Sequence, residues 1–256
     1  IGREAALAFA GRGCRVALGA RRVKLLQDLT QEISRRHPGL ESLAISLDLA
    51  DPASIEAAVA RVLRELGRID ILVNNAGVAE FDWVEHLDPK TGIAEPIAVN
   101  LTGAILLTRA VLPGMIASRR GQIIFVGSLA GLVSTPTYGV YAATKAGLLA
   151  FADSLRREVG IWGLRVSTLL PGAVDTGFAA ESVAQRKTRL RTPKRLRLSP
   201  ERAGEAVAQL AERPRRIWIL PAWMRPVLWL GRACPWLVDR VVEIGFVRRE
   251  RLPPEG

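Results

Sequence analysis

What most limits this chain is a regular alternation. Short apolar runs bounded by glycine and polar turns trade places with longer segments whose apolar residues recur every three or four positions. Continuous apolar runs of that length suit strands buried on both faces, and the helical segments between them supply the crossovers that parallel strands require. The pattern predicts strands at Arg15–Gly19, Leu43–Leu47, Asp70–Val73, Gln122–Val126, Leu164–Leu170 and Arg216–Leu220. It predicts helices over about Gly2–Ala10, Val23–Arg36, Pro52–Leu66, Ile97–Ser118, Tyr141–Val159 and Pro200–Glu212. Asp51-Pro52 and Ser199-Pro200 each place a capping side chain before a proline in the first turn, where its missing N–H costs nothing. The expected class is α/β, with helices on both faces of a parallel sheet.

With 256 residues, 49% of them hydrophobic and 24% charged, the chain can bury roughly three-quarters of the surface its unfolded form exposes. It needs no cross-link to supply a core. Cys14, Cys234, His37 and His86 are its only cysteines and histidines, so it offers neither a metal cluster nor a disulfide framework, and a reducing, cytoplasmic setting is expected. The net charge of +11 sits mostly in the C-terminal third. Residues 1–180 hold 19 Lys and Arg against 17 Asp and Glu, whereas residues 181–256 hold 17 against 8. Arg186–Arg197 alone carries seven basic residues and no acidic one. Aromatic residues make up only 5%, and no nucleic-acid-binding module accompanies the charge, so nucleic acid is not expected as a partner.

Chemistry concentrates in one pentapeptide, Tyr141-Ala142-Ala143-Thr144-Lys145. Residues four apart on a helix share a face, so an ammonium stands beside a phenol. A phenol with an ordinary pKa of about 10 is a poor proton carrier at neutral pH, and a neighbouring cation favours its ionised form. Three loops leave successive expected strands on one edge. They are Asn74-Asn75-Ala76-Gly77, the turn carrying Ser128, and Pro171-Gly172, and the carboxyl edge of an open α/β sheet is where ligands bind.

The Asn-Asn-Ala-Gly turn, Ser128 thirteen residues before Tyr141, the Tyr-x-x-x-Lys helix and Pro171-Gly172-x-x-x-Thr176 occur in the order and spacing of one family. Over about residues 1–222 the chain resembles a short-chain dehydrogenase/reductase. The resemblance implies a Rossmann-type doubly wound sheet and four catalytic residues. Tyr141 is expected as general acid/base and Ser128 as the holder of the substrate oxygen. Lys145 would lower the tyrosine pKa and bind the nicotinamide ribose, and Asn100 would anchor a proton-relay water through a helix distortion.

The same resemblance implies a dinucleotide cofactor. Gly2, Asp48 with the adjoining Leu49, Asn74, Ala76, Gly77, Tyr141, Lys145, Pro171, Gly172, Val174 and Thr176 are its expected contacts. Arg21 and Arg22 follow the second strand of the family's fold where an NAD enzyme would carry a carboxylate, so NADP(H) is favoured over NAD(H). One departure matters. Ile1-Gly2 reads as the last two residues of the family's phosphate loop, so the first strand, central in the sheet, is expected to be missing from this chain.

Residues 177–200 fall where the family keeps its substrate lid, and residues 223–256 form a Trp- and Arg-rich extension. Across Ile217–Phe246, Trp218, Trp223, Trp229 and Trp236 are interrupted by Arg225, Arg232, Asp239, Arg240 and Glu243. No uncharged stretch there approaches the roughly 18 residues of a membrane span. Its composition suits an anionic membrane surface, with a solvated basic loop as the plainer reading of the lid. A lipophilic carbonyl or alcohol, such as a steroid or fatty-acyl compound, is the expected substrate, with peripheral membrane contact and a homodimer or homotetramer. The alternative is a non-catalytic nucleotide-sensing or scaffolding protein that keeps the fold and uses the tail for a partner.

Overall fold

The computed structural model describes residues 1–178 and 193–251. Its strands are β1 (Val16–Ala20), β2 (Ser42–Ser46), β3 (Ile71–Asn74), β4 (Gln122–Val126), β5 (Arg165–Pro171) and β6 (Ile217–Leu220). Each matches an expected strand to within one residue at either end. All pairings among them are parallel. They form a two-stranded sheet, β1-β2, and a four-stranded sheet, β3-β4-β5-β6. Among the described residues β1 and β3 do not pair, and both line one continuous cavity.

Helices α1 (Gly2–Ala10), α2 (Val23–Arg36) and α3 (Pro52–Leu66) follow the predicted bounds. Asp51 accepts a hydrogen bond from the Ala53 N–H at 2.9 Å, which is the cap its position before proline implies. The long helix α4 (Pro89–Ser118) begins eight residues before the expected Ile97. Asp88 caps it by accepting from the N–H groups of Lys90 and Thr91, and two π-turns, Pro89–Ala94 and Ala98–Gly103, interrupt it. Pro96 lies between those turns and can supply no backbone donor to its own helix, which breaks the regular ladder there. By length and composition alone α4 could cross a membrane, and Ala104, Val111 and Met115 along it are buried in a core shared with β4.

Helix α5 (Gly139–Val159) starts two residues earlier than expected, and α6 (Pro200–Glu212) is capped by Ser199, which accepts from Arg202 N–H at 3.2 Å. The tail forms α7 (Met224–Ala233) and α8 (Pro235–Val242), which runs through a π-turn at Glu243–Val247 into α9 (Arg248–Arg251).

Strand β4 shows how the layers are built. Its five residues are all buried. Ile124 and Val126 face a core shared with α1 and α6, whereas Ile123 and Phe125 face one shared with α3, α4 and α5. Alternate side chains of one apolar strand thus fill opposite layers, as a doubly wound sheet requires. Gln122 closes that strand's start by donating to Leu210 C=O at 2.7 Å.

Candidate active site

The loops that follow β3, β4 and β5 meet at the carboxyl edge of the four-stranded sheet. Asn74 to Gly77, Ser128 and Pro171 to Val174 line one cavity together with Asn100, Tyr141 and Lys145. Its volume, about 2580 Å³, includes the slot between β1 and β3 as well as the cleft. Gly2, Arg21, Arg22, Asp48, Leu49, Ala76, Gly77 and Thr176 line it too, so the expected catalytic and cofactor-contact residues all border the same space.

Tyr141 lies in the first turn of α5, and Lys145 follows one turn later on the buried face with Ala142 and Leu148. The Lys145 ammonium stands 5.7 Å from the Tyr141 ring centroid and donates to Val126 C=O at 3.1 Å. Burial pushes its pKa down to about 8. Burial pushes the Tyr141 phenol up to about 12, against an opposing hydrogen bond from Ser128. Loss of solvent is the largest influence on the phenol, and the Lys145 ammonium gives one of its hydrogen bonds to a backbone carbonyl.

Ser128 ends the turn after β4, and its hydroxyl also accepts from Ala130 N–H at 3.1 Å. Asn100 sits inside the second π-turn, so the expected helix distortion is present. Its carboxamide donates to Val78 C=O and accepts from Val78 N–H, and it also donates to Thr144 Oγ1 at 3.2 Å. The side chain is therefore occupied in joining the Asn-Asn-Ala-Gly loop to α4 and α5. A Cβ on Gly77 would stand 3.3 Å from Asn100 Oδ1 and 3.6 Å from Lys145 Nζ, so the loop approaches the pair as bare backbone. Asn74 donates to Thr108 Oγ1 at 3.1 Å, while its buried Oδ1 has no partner.

On the opposite side of the cleft, Arg22 is the first cap of α2 and Arg21 pairs with Glu95 at 3.0 Å. The Asp48 carboxylate accepts from Ala50 N–H at 2.9 Å. Leu49 is buried because α4 comes close, and a Cβ on Gly103 would meet Leu49 C=O at 2.3 Å. Val174 pairs in a short bridge with Leu198, and its side chain joins the core. Of the expected lid, Arg197 bonds Asp175 at 3.0 Å, whereas Arg186, Lys187, Arg189 and Arg191 lie outside the described residues.

Sequence reasoning missed an aromatic cluster around the phenol. The Phe81 ring lies 4.2 Å from Tyr138 and 5.6 Å from Tyr141, and Phe178 lies 6.0 Å from Tyr141. The chain's only two tyrosines, three residues apart beside the site, were the available signal.

A model of the family described as short chain dehydrogenase matches residues 1–187, which hold the cleft loops and the Tyr-x-x-x-Lys helix. The chain belongs to the short chain dehydrogenase family. It is 34% identical over 187 residues to dehydrogenase/reductase SDR family member 7B of Bos taurus, a match covering 72% of this chain and 57% of the bovine protein. The chain thus spans little more than half the length of that relative. It is 35% identical over 170 residues to the 3-oxoacyl-acyl-carrier-protein reductase of Escherichia coli, covering 65% of this chain and 69% of that protein. Among solved structures, an alcohol dehydrogenase from the archaeon Thermococcus sibiricus, complexed with 5-hydroxy-NADP, superposes with a TM-score of 0.75 at 29% identity, covering 85% of this chain and 89% of that one. The match establishes the Rossmann-like α/β class for the family member described here.

Proposed function

We propose that this chain is the core of an NADP(H)-dependent oxidoreductase that interconverts a carbonyl and a secondary alcohol on a lipophilic compound. The observation that carries the reading is the convergence of Ser128, Tyr141 and Lys145 in one cleft, with Asn100 tying the neighbouring loop in place. The residues present fit a dinucleotide. Gly77 offers a side-chain-free floor beside Lys145, and Arg22 and Arg21 border the cavity, Arg21 paired with Glu95. Gly2, Asp48, Leu49, Asn74, Ala76, Pro171, Gly172, Val174 and Thr176 complete the wall that would hold it. The T. sibiricus structure and the E. coli reductase, an NADP-analogue complex and a reductase by name, support the same reading.

When bound, the cofactor supplies the hydride. The chain's own residues do the rest. Ser128 and Tyr141 hydroxyls hold the carbonyl oxygen, and both hydrogen bonds strengthen as negative charge develops on it. Tyr141 then gives its proton to that oxygen. A phenol kept neutral by burial is suited to donating, and the buried Lys145 ammonium is placed to stabilise the phenolate that results. The Phe81, Tyr138 and Phe178 rings give the cleft an apolar wall at the substrate end. Loss of the general acid is expected to lower kcat by about 10²–10⁴. Following NADPH absorbance with graded ketones tests this, and near-normal turnover by Tyr141→Phe would remove the mechanism. A non-catalytic nucleotide sensor, the alternative, would bind cofactor yet oxidise none.

We read residues 223–256 as an extension that contacts an anionic membrane surface from the periphery. Trp229, Trp236 and Val241 are largely exposed, with Arg225, Arg232 and Arg240 among them. Cosedimentation with anionic liposomes tests this, and equal pelleting by a variant lacking residues 222–256 would refute it. Homodimer or homotetramer assembly, implied by the resemblance, is checked by light scattering.

A further inference from the structure

The cavity that holds Ser128 and Tyr141 does not end with the segment matched to the family. Its far wall comes from the tail. Met224, Val227, Leu228 and Gly231 line it from α7, across from Leu129 and Val133 of the turn after β4. Their spacing of three, one and three positions places all four on one face of the helix. Leu228 is buried and Val227 half exposed. A Cβ on Gly231 would stand 3.4 Å from a Val133 methyl, so α7 sits against that turn at contact distance. Val238 of α8 adds to the same wall, and none of Arg225, Arg232, Asp239 or Arg240 does.

The tail is also fastened beside this space at its other end. Phe246 stacks on Trp83 with ring centroids 6.0 Å apart. The Arg251 guanidinium lies 3.9 Å from the Trp83 ring centroid and bonds Glu85 at 2.7 Å. Trp83 stands two residues from Phe81, whose ring packs on both tyrosines. The tail therefore runs from the end of β6, past Val133, and back to the loop that carries the aromatic cluster.

We propose that the inner face of α7 is a specificity-determining wall of the substrate chamber, and that it takes an uncharged hydrocarbon arm remote from the reacting carbon. The proposal rests on the reading of Ser128 and Tyr141 as the reacting end. A wall of aliphatic side chains offers no partner to a polar arm, whose desolvation goes uncompensated, whereas each methylene laid on it gains affinity.

The test uses the whole protein that carries this chain, loaded with NADPH, with butanone and dodecanone as probes. Val227→Asp plants a carboxylate in the wall, and Val227→Asn plants an uncharged polar group of the same size there. Both are expected to lower kcat/KM for dodecanone by at least about tenfold while leaving butanone within about twofold. Val227→Ala, a milder change, is expected to lower dodecanone alone by about threefold, and it carries the test should Val227→Asp fail to fold. Equal losses for both ketones, or an unchanged dodecanone value, would overturn the proposal. Equilibrium dialysis of dodecanone gives a second readout. If neither ketone is turned over, the functional reading has failed, and weaker dodecanone binding by the Val227 variants would still uphold the wall.

Discussion

The Asn100 carboxamide and the Val78 backbone hold each other through two hydrogen bonds of 2.8 Å, one in each direction. Because Asn100 is almost wholly buried, its carboxamide has no water to fall back on. Asn100→Ala is expected to cost about 1–3 kcal/mol of stability, the range for leaving buried polar groups without partners. It should also loosen Gly77, which borders Lys145, so cofactor affinity is expected to fall with it. Urea unfolding and cofactor titration check the two effects, and an unmoved unfolding midpoint would show that the clamp does not contribute.

The two buried titrating groups of the site give opposite pH signatures. Lys145 loses its proton near 8 in the folded chain and near its ordinary 10.5 when unfolded. Between those values the unfolded chain binds more protons, so stability rises with pH. Tyr141 ionises near 10 when unfolded and near 12 when folded. There the folded chain binds more protons, so stability falls across that window. Lys145→Met is expected to abolish the rise and Tyr141→Phe the fall, measured as urea midpoints against pH and compared with the parent.

Much of this site was legible because its parts are local in sequence. A helix places Tyr141 and Lys145 on one face by its pitch alone, and a strand's end places Ser128 at a sheet edge. The strand limits moved by only one residue for the same reason, since continuous apolar runs mark what must be buried. The extra turns at the start of α4 were not legible. Pro89 and Pro96 lack the backbone donor that a regular helix needs, and the Asp88 cap and the π-turns accommodate them within one helix. Contacts between distant residues escaped altogether. Arg21 with Glu95, Phe81 with the tyrosines and Phe246 on Trp83 depend on how elements pack, and no periodicity encodes them. The burial of the Tyr141 phenol was not legible for a related reason. A spacing reveals a neighbouring cation but not how far burial outweighs it.

Cofactor preference separates the two arginines after β1. Arg21 is already paired with Glu95, whereas Arg22 borders the same cavity with no ion pair recorded to it among the described residues. Arg22→Ala is therefore expected to weaken NADPH by about 10- to 100-fold, the worth of a charge-assisted hydrogen bond, and to leave NADH nearly unchanged. Arg21→Ala should do less. Glu95→Gln, by freeing Arg21, is expected to tighten NADPH. Steady-state kinetics with both cofactors decide it, and equal effects on NADPH and NADH would show that neither arginine reads the 2′-phosphate.

Gly204 sets how closely α1 and α6 can pack. A Cβ there would meet Glu4 Cβ at 2.5 Å and Ala5 N at 2.6 Å, distances at which backbone, not a flexible side chain, must move. The two helices are otherwise well joined. Phe9 and Ala5 pack on Ala203, Val207 and Leu210, and Arg12 reaches Glu205 at 2.6 Å and also bonds Glu212. Those ion pairs are mostly exposed and add little, so the close crossing depends on the missing side chain. Gly204→Ala gains helix propensity of about 1 kcal/mol, which alone would stabilise. The clash is expected to win, with a net loss of about 1–2 kcal/mol from forced backbone movement. Since α1 begins at Gly2 beside the cleft, cofactor affinity should drop with stability, whereas Gly114→Ala on α4, where a Cβ meets nothing, should leave cofactor affinity unchanged. Unfolding midpoints and cofactor titrations of the two variants make the comparison, and a stabilised Gly204→Ala with full cofactor affinity would show that the helices can part without cost.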